Sequence, residues 1–340
     1  MKRLLVSKKL GALLLAVLLM MAMFTGCAQN VVNEPVTESV TDDKNEFPTK
    51  PIKMVVPWSP GGTSDMQAQL MAHHLEKELG VSVVVECIPG ASGVIGVMTT
   101  KHLPADGYTI LMTDGVGFVM RSLLDGGYTV DEFVPLGADV RDVQGIIVRG
   151  DSPYDSLEDI AEAMKANPDK IKIGAIGPIA PRIQLVLELE EMFGVTSNAI
   201  PYKGESDVLA ALLGGHVDAA VHPIANLADA IEDGEVKALA VGWDERLEGF
   251  SDIPTIGEIS GTDTQNASVR GYYVKKGTPE YIIDILDEAR AKVAKKQEYI
   301  DSINKIAPYY FMGKEEFIEF INVQETLMGN WVTVMQSRFK

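Results

Sequence analysis

The feature that most constrains the fold of this chain is a repeated alternation of short apolar strands with amphipathic helices. The order strand, turn, helix favours parallel strands joined by right-handed crossovers, which is typical of α/β proteins. Strands are predicted over 52–56, 81–86, 108–112, 145–148, 171–175, 199–201, 219–221, 237–241 and 271–274. A first helix is predicted from a cap at Thr63 or Ser64 to Leu79. Further helices are predicted over 94–101, 157–165, 183–193 and 205–213, and 279–335 is mostly amphipathic helix.

Several helix ends are marked by residues with known capping preferences. Thr63 or Ser64 is the expected N-cap of the first helix, because a side-chain oxygen there accepts a hydrogen bond from a free amide of the first turn. Gly80 is expected to end that helix. Ser156 is expected to cap the helix over 157–165.

Three glycine-rich turns follow predicted strands and open predicted helices: Gly61-Gly62, 90–93 and 174–177. Ligands of open parallel sheets bind beyond the carboxyl ends of the strands, and helix N-termini attract anions. The turns therefore predict an anion site, although glycine is also routine in tight strand-to-helix turns. At Gly62 and Gly93 we expect a β-carbon to block the ligand or to disallow a positive φ angle.

The charge of the chain restricts its partners. The 340 residues carry a formal net charge of -18, and 46% of them are hydrophobic, which is enough for the core of one or two domains. Nucleic-acid binding needs a basic face, so that class is disfavoured. An acidic protein still binds a carboxylate when the local field comes from backbone amides and helix ends.

The N-terminal segment has the pattern of an export signal. Basic residues precede an apolar run over 10–24 that is too short to span a bilayer comfortably. Thr25-Gly26-Cys27 ends the run and resembles a bacterial lipobox, in which the cysteine becomes the lipidated first residue of the mature protein. We expect a signal peptide over 1–26 and a lipidated, disordered acidic tether over 27–46. An ordinary signal with an incidental Cys27 is the alternative.

The sequence lacks the common motifs of catalysis and of metal binding. It contains no HExxH, CxxC, Walker A or G-x-S-x-G pattern, and the glycines of the second turn lack the start of a dinucleotide fingerprint. Cys87 is expected to be a small buried apolar residue, and His73-His74 a solvated helix face. We therefore expect no enzymatic activity, no metal site and no cofactor.

Six sequence blocks carry a resemblance to a known family. The first contains Pro57-Trp58-Ser59-Pro60-Gly61-Gly62, and the third contains Pro104-Ala105-Asp106-Gly107-Tyr108. In full, the blocks are 47–52 with 55–65, 84–86 with 89–96, 104–111, 200–204, 213–218 and 253–258. In this order they are similar to blocks of the solute receptors of tripartite tricarboxylate transporters, the TctC or Bug family.

This resemblance implies an α/β, two-domain periplasmic-binding-protein fold. Each domain would be a mostly parallel sheet flanked by helices, with a ligand cleft between the domains. We expect 47–147 plus 270–340 to form the first domain and 148–269 the second. The family also implies a small carboxylate ligand, such as a di- or tricarboxylate, and delivery of it to permease subunits in the membrane. We expect an extracytoplasmic monomer that touches the membrane through its lipid alone.

The expected ligand-binding residues lie in the glycine turns and at strand ends. Trp58 is placed to stack over the ligand or to cover the cleft rim. Asp65 is expected to fix the first turn by accepting hydrogen bonds from its amides, since a carboxylate facing an anion costs stability. Tyr202 and His222 follow strands, and a packing role near the hinge is an equal alternative for His222. The full set is Trp58, Ser59, Gly61, Gly62, Thr63, Asp65, Gly90, Ala91, Ser92, Gly93, Thr113, Gly177, Arg182, Tyr202 and His222.

Two departures from the family pattern affect the ligand. Cys87 stands where the second block usually has an asparagine, and Arg182 stands near a position that is usually histidine. A guanidinium offers a carboxylate two parallel hydrogen bonds. A surface arginine at a helix start is the alternative. The identity of the ligand therefore does not carry over from the family.

Two other functions are compatible with the same sequence. One is a sensor that presents its ligand-bound state to a signalling kinase. The other is a surface α/β hydrolase, which the missing nucleophile and metal motifs disfavour. A permease pair encoded nearby would favour transport over sensing.

We expect Cys27 to be the mature N-terminus and to carry a diacylglyceryl group, because two acyl chains at one point anchor a protein stably. Intact-mass analysis of the membrane-extracted protein measures this increment. In Cys27→Ser, the anchor should be lost. A mature form of the wild type that begins elsewhere and is soluble would contradict the prediction.

Overall fold

The computed structural model describes residues 47–124, 126–177, 180–262 and 264–339. Cys27, the signal peptide over 1–26 and the tether over 27–46 lie outside the described residues and stay predictions. The strands are β1 (Ile52–Val56), β2 (Val83–Cys87), β3 (Thr109–Asp114), β4 (Phe133–Arg149), β5 (Lys172–Ile176), β6 (Asn198–Tyr202), β7 (Ala219–Pro223), β8 (Val236–Val241), β9 (Ala267–Lys275) and β10 (Tyr309–Met312). The helices are α1 (Thr63–Leu79), α2 (Val94–Lys101), α3 (Gly115–Leu123), α4 (Leu157–Ala166), α5 (Pro181–Phe193), α6 (Glu205–Leu213), α7 (Ala228–Glu232), α8 (Ile256–Ser260), α9 (Glu280–Ala294), α10 (Gln297–Ile303) and α11 (Lys314–Arg338).

The sheet has two halves that share the long strand β4. In the first half, β1 lies between β2 and β3 and is parallel to both. In the second half, β5 lies between β6 and β7 and is again parallel to both. The parallel pairs are those that the alternation of strands and helices predicts, and the α/β two-domain fold class is confirmed. The domain boundaries proposed from the sequence stay predictions.

Strand β4 joins the halves through antiparallel pairing. Its first part pairs with β9 and β10, with Phe133 opposite Lys275 and Val143 opposite Ala267. From Gln144 onward it pairs with β7 and β8 instead. One continuous strand therefore belongs to both halves.

Alternation along the strands explains how both faces of the sheet are covered. In β1, Ile52, Met54 and Val56 are buried in one apolar cluster with α1 and α9, while Val55 is buried in another with α3 and α11. Successive side chains of a strand point to opposite faces, so a strand that is buried on both faces reads as a continuous apolar run. The third cluster packs α4 and α5 against β5, β7 and the end of β4.

Most elements agree with the sequence predictions, and the differences have physical reasons. Strand β4 was predicted only over 145–148, because Pro135, Gly137, Asp139 and other polar residues interrupt its apolar pattern. Helix α3 and strand β10 were not predicted. The predicted solvated face of α1 is wrong for His74, which is buried and packs edge-on against Tyr299.

The helix-capping predictions are confirmed at two helix ends and wrong at a third. Gly80 ends α1 at a φ of 70° and donates its N–H to the Glu76 carbonyl oxygen. The Ser156 hydroxyl accepts the Asp159 amide at 3.1 Å. The prediction that Thr63 or Ser64 caps α1 is wrong, because Gly62 occupies the N-cap position.

A buried polar network is held at the centre of the first half by Asp139 of β4. Its carboxylate accepts the Gln67 amide at 2.5 Å and the Tyr272 hydroxyl at 3.1 Å, and it also accepts the Tyr299 hydroxyl. Burial raises the pKa of Asp139, and the Tyr299 hydrogen bond and the Arg290 charge oppose that rise. The carboxylate is therefore tolerated only because its neighbours satisfy it.

Asp139→Ala should lower the free energy of unfolding by about 3 kcal/mol or more, because it leaves several buried donors without an acceptor. Tyr299→Phe removes one donor and should cost about 1–2 kcal/mol. Urea unfolding of both variants measures these values. An Asp139→Ala protein within about 1 kcal/mol of the wild type would show that the network is not needed for stability.

Candidate functional site

A cavity of about 550 Å³ lies at the carboxyl ends of the parallel strands, between the two halves of the sheet. This is the place where open α/β sheets bind ligands, and the volume suits a small molecule. The first half contributes Trp58, Ser92, Asp114 and Arg121. The second half contributes Gly177, Arg182, Tyr202 and Lys203. Strands β4 and β9 and the residue before β9 close the floor with Gln144, Asn266 and Ser268.

The second glycine turn has an unusual backbone. Gly90, Ala91, Ser92 and Gly93 all have positive φ angles, of 132°, 47°, 52° and 95°. The turn is held by two hydrogen bonds, because the Gly90 carbonyl oxygen accepts the amides of Gly93 at 3.0 Å and Ile95 at 3.4 Å. Two non-glycine residues in the left-handed region are costly, and such strain clusters at binding sites. Ser92 lines the cavity from this strained turn.

The first glycine turn is shaped by Asp65. Its carboxylate accepts the Gly61 amide at 2.8 Å, and this bond lowers the pKa of Asp65. Asp65 thus fixes the turn as the sequence analysis expected. Trp58 lines the cavity and lies against Gly93, where a β-carbon would be 3.6 Å from the indole ring. The first turn therefore supports the second turn through Trp58.

The argument from positive φ holds for Gly93 and is wrong for Gly62. Gly62 has a φ of -80°, is exposed, and has room for a β-carbon 3.5 Å from the Ser59 carbonyl oxygen. Gly61 has a φ of 80° and is also exposed. The backbone freedom of glycine is thus used at Gly61 and Gly93.

The helices that begin at the glycine turns have no side-chain cap, a property that they share with most helices of the described chain. Within the described ranges, no side chain caps α1, α2 or α5, whose N-cap residues are Gly62, Gly93 and Ala180. In contrast, Ser156 caps α4 and Thr255 caps α8. Free amides at a helix start bind anions. Helix α5 lines the cavity with Pro181 and Arg182 of its first turn, and Ser92, two residues before α2, lines it as well.

Arg182, in the first turn of α5, is a cleft residue. Its Nε donates to Gln144 Oε1 at 2.9 Å, and its Nη2 donates to Glu205 Oε1 at 2.6 Å. The side chain is only 21% exposed. Of the two alternatives drawn from the sequence, the structure places Arg182 in the cavity wall. Its guanidinium is held in one orientation by β4 and by the start of α6.

Asp114 is a cleft residue that the sequence analysis missed. Its Oδ2 accepts the Gly117 amide at 2.8 Å and so caps α3, and its Oδ1 accepts the Ser268 hydroxyl at 3.0 Å. Burial raises the pKa of Asp114. An aspartate directly before Gly115 at the end of a strand is an N-cap signal, and it was overlooked because α3 was not predicted.

Two more charged groups lie behind the floor of the cavity. Asp142 of β4 is buried, and burial raises its pKa to about 6, with the Arg270 charge opposing the rise. Arg270 of β9 donates from Nε to Gln67 Oε1 at 3.0 Å. Gln67 in turn bonds to Asp139, so the polar floor is continuous with the buried network of the first half.

Some of the predicted site residues line the cavity and others do not. His222 of β7 is 4% exposed, its Nδ1 is 3.1 Å from the Pro223 carbonyl oxygen, and burial lowers its pKa. Thr113 is buried in β3. The cavity is lined by five of the predicted residues, Trp58, Ser92, Gly177, Arg182 and Tyr202. The others surround it or lie behind it, and they are Ser59, Gly61, Gly62, Thr63, Asp65, Gly90, Ala91, Gly93, Thr113 and His222.

Cys87 has the properties of an inert thiol. It ends β2, is half-buried, and has its pKa raised to about 11 by burial and by Asp65. A thiol with that pKa is protonated at neutral pH and is a poor nucleophile. Among the described residues, no cluster of His, Cys, Asp and Glu is placed to hold a metal ion. In the same residues, no helix is both long and apolar enough to cross a membrane.

Comparison with known proteins identifies the family. The family model described as "Tripartite tricarboxylate transporter family receptor" matches residues 67–335. BugT of Bordetella pertussis is 32% identical over 249 residues, which cover 71% of this chain and 75% of BugT.

Two solved structures share the fold. A TctC solute binding protein from Polaromonas, solved with no ligand, is 27% identical with a TM-score of 0.78 over 85% of this chain and 99% of that one. MatC from Rhodopseudomonas palustris, solved with bound malate, is 22% identical with a TM-score of 0.67 over 84% of this chain and 100% of that one. Fold and cleft together define a two-domain periplasmic solute-binding protein. The chain belongs to the TctC family of tripartite tricarboxylate transporter receptors, as its sequence blocks predict.

Gly93→Ala should lower the free energy of unfolding by about 1–2 kcal/mol, because an L-residue is strained at a φ of 95°. Gly313→Ala is the matched control, since Gly313 precedes α11 at a φ of -68° with open space around it. Denaturant unfolding compares the two variants. Equal stabilities would mean that the turn relaxes without cost.

Proposed function

We propose that this protein is an extracytoplasmic lipoprotein that captures a small carboxylate for a tripartite tricarboxylate-type transporter. The observation that carries the proposal is the cavity between the strained turn over 90–93 and the guanidinium of Arg182. The two come from opposite halves of the sheet. A ligand with two anionic ends bridges such a cleft.

One carboxylate of the ligand is bound by the turn over 90–93 and by the start of α5. The amides of Ala91 and Ser92, the Ser92 hydroxyl and the first turn of α5 supply neutral donors, whereas the amides of Gly93, Val94 and Ile95 are already bonded within the turn. Each charge-assisted hydrogen bond of this kind contributes about 1.5–3 kcal/mol. Neutral donors also explain how a chain with a net charge of -18 attracts an anion at one place.

The second carboxylate is bound by Arg182. The Gln144 and Glu205 contacts orient the guanidinium, so little side-chain entropy is lost on binding. Glu205 also reduces the local positive charge. This favours a ligand that forms hydrogen bonds in a defined geometry over an anion that is attracted by charge alone. Tyr202 and Trp58 close the sides of the cavity.

Closure of the two domains is the proposed response to ligand. The chain crosses between the domains near 147 and 270, at β4 and β9, and bending there would bring the turn over 90–93 toward Arg182. Closing excludes water and strengthens the electrostatic contacts. The lipid on Cys27 keeps the monomeric receptor close to the permease subunits, and the receptor itself performs no chemistry.

The family gives independent support. Receptors of this family serve tripartite tricarboxylate transporters, and MatC, which has the same fold, was solved with malate. Because MatC is only 22% identical, it supports the fold, and the choice of a carboxylate rests on the donors of this cleft.

Arg182→Ala should weaken dicarboxylate binding by about ten- to a hundredfold and change monocarboxylate binding much less. Calorimetric titration with a panel of mono-, di- and tricarboxylates measures both, and native mass spectrometry identifies any ligand that is retained through purification. Arg246→Ala removes an arginine that forms an exposed ion pair with Glu258, and it is the control for net charge.

The possible results of these titrations lead to different conclusions. Equal loss for mono- and dicarboxylates would remove Arg182 from its proposed role. If no carboxylate of the panel binds to the folded wild type, and no carboxylate is retained, the proposed function is wrong.

A further inference from the structure

Asp114 places a negative charge inside a cleft that is otherwise suited to anions. Its two oxygens already accept the Gly117 amide and the Ser268 hydroxyl. A carboxylate has about four acceptor positions, so two are left for a ligand. Asp114 also lines the cavity, so a bound molecule reaches it.

Capping of α3 does not by itself account for an aspartate here. Asparagine and serine cap a helix as well as aspartate does, and neither buries a charge. Next to a bound carboxylate, a second carboxylate is repelled. The aspartate therefore disfavours a plain carboxylate beside it and favours a ligand that brings a positive charge to it.

The cations near Asp114 leave its remaining acceptor positions open. Arg182 is bonded to Gln144 and Glu205, and Arg270 is bonded to Gln67 through Nε. Arg121 and Lys203 also line the cavity. Within the described residues none of these four side chains is hydrogen-bonded to Asp114, so a cationic group of the ligand has access to it.

Unpartnered polar atoms in the floor also favour a donor on the ligand. Asn266 lines the cavity and is 2% exposed, and its Oδ1 makes no hydrogen bond within the described residues. The orientation of this amide is fixed, because Nδ2 donates to the Pro181 carbonyl oxygen at 2.9 Å. Behind it, Asp142 Oδ1 is also an unpartnered acceptor, and Arg270 Nη2 is an unpartnered donor. Of these three residues, Asn266 is the one that lines the cavity, and its unpartnered atom is an acceptor.

From these observations we infer that the ligand is a small amino acid, whose protonated amino group is bound by Asp114 with Asn266 Oδ1 as a second acceptor. This inference rests on the proposed function, since the carboxylate of the same ligand uses the turn over 90–93. It makes Asp114 the residue that selects an ammonium-bearing carboxylate over a plain one.

Calorimetric titration with matched ligands tests the inference. Succinate, malate and aspartate differ only by H, OH or NH₃⁺ on one carbon, and propionate, lactate and alanine form the same series with one carboxylate. In at least one series, the wild type should bind the amino member about ten- to a hundredfold more tightly than the unsubstituted one. This comparison needs no variant.

Asp114→Asn then separates charge recognition from capping. Asparagine keeps the cap, so the melting temperature should change little. The amino ligand should bind at least tenfold more weakly, and the unsubstituted one more tightly, because the repulsion between carboxylates is gone. Asp252→Asn removes the same charge from an exposed position outside the cavity and should change each affinity by no more than about twofold.

Three results would overturn the inference. The first is that unsubstituted or hydroxy members bind as tightly as amino members. The second is that Asp114→Asn weakens all members equally, which would make Asp114 a cap only. In both cases carboxylates still bind, so the proposed function stands. If none of the carboxylates binds, the proposed function fails and this inference fails with it.

Discussion

One strand, β4, hydrogen-bonds to four others, and both halves of the protein and the floor of the cleft depend on those bonds. Its partners change from β9 and β10 to β7 and β8 between Val143 and Gln144. Gln144, at this change, reaches into the cleft and holds Arg182. Strand β4 joins the halves, and it therefore also orients Arg182, the residue proposed to bind the second carboxylate of the ligand.

The two faces of β4 carry different polar side chains near the point where its partner strands change. Because side chains alternate along a strand, Gln144 faces the cleft while Arg141 faces the opposite side. The Arg141 guanidinium lies 3.6 Å from the Tyr310 ring centroid and 4.6 Å from that of Trp243. Tyr310 belongs to β10 in the first half, and Trp243 follows β8 in the second. Any bending at β4 must therefore alter this cation–π stack together with the cleft.

The helices and strands with regular apolar patterns were predictable from the sequence, whereas the contacts between buried polar side chains were not. Helices such as α1 and α6 and the parallel strands have local apolar patterns, and the glycine turns mark their connections. In β4, Asp139 is held instead by distant residues, since its partners Tyr272 and Tyr299 lie more than 130 residues further along the chain. In the site, Arg182 was found through a departure from the family pattern. Asp114 was missed because α3 was not predicted, and its contact with Ser268 forms only in the folded sheet.

A strongly acidic protein binds an anion only if the local charge in its cleft differs from its net charge. Uncapped helix starts and the strained turn over 90–93 supply partial positive charge that adds nothing to the net charge. Arg182 supplies one full charge, which Glu205 balances before the ligand arrives, and Arg121 and Lys203 also line the cavity. Asp114 is the carboxylate that lines the same cavity, and within the described residues it makes no ion pair with these cations. In the inference drawn above, the ligand brings both signs of charge, and the choice between a plain carboxylate and an amino acid is set by one residue at the end of β3.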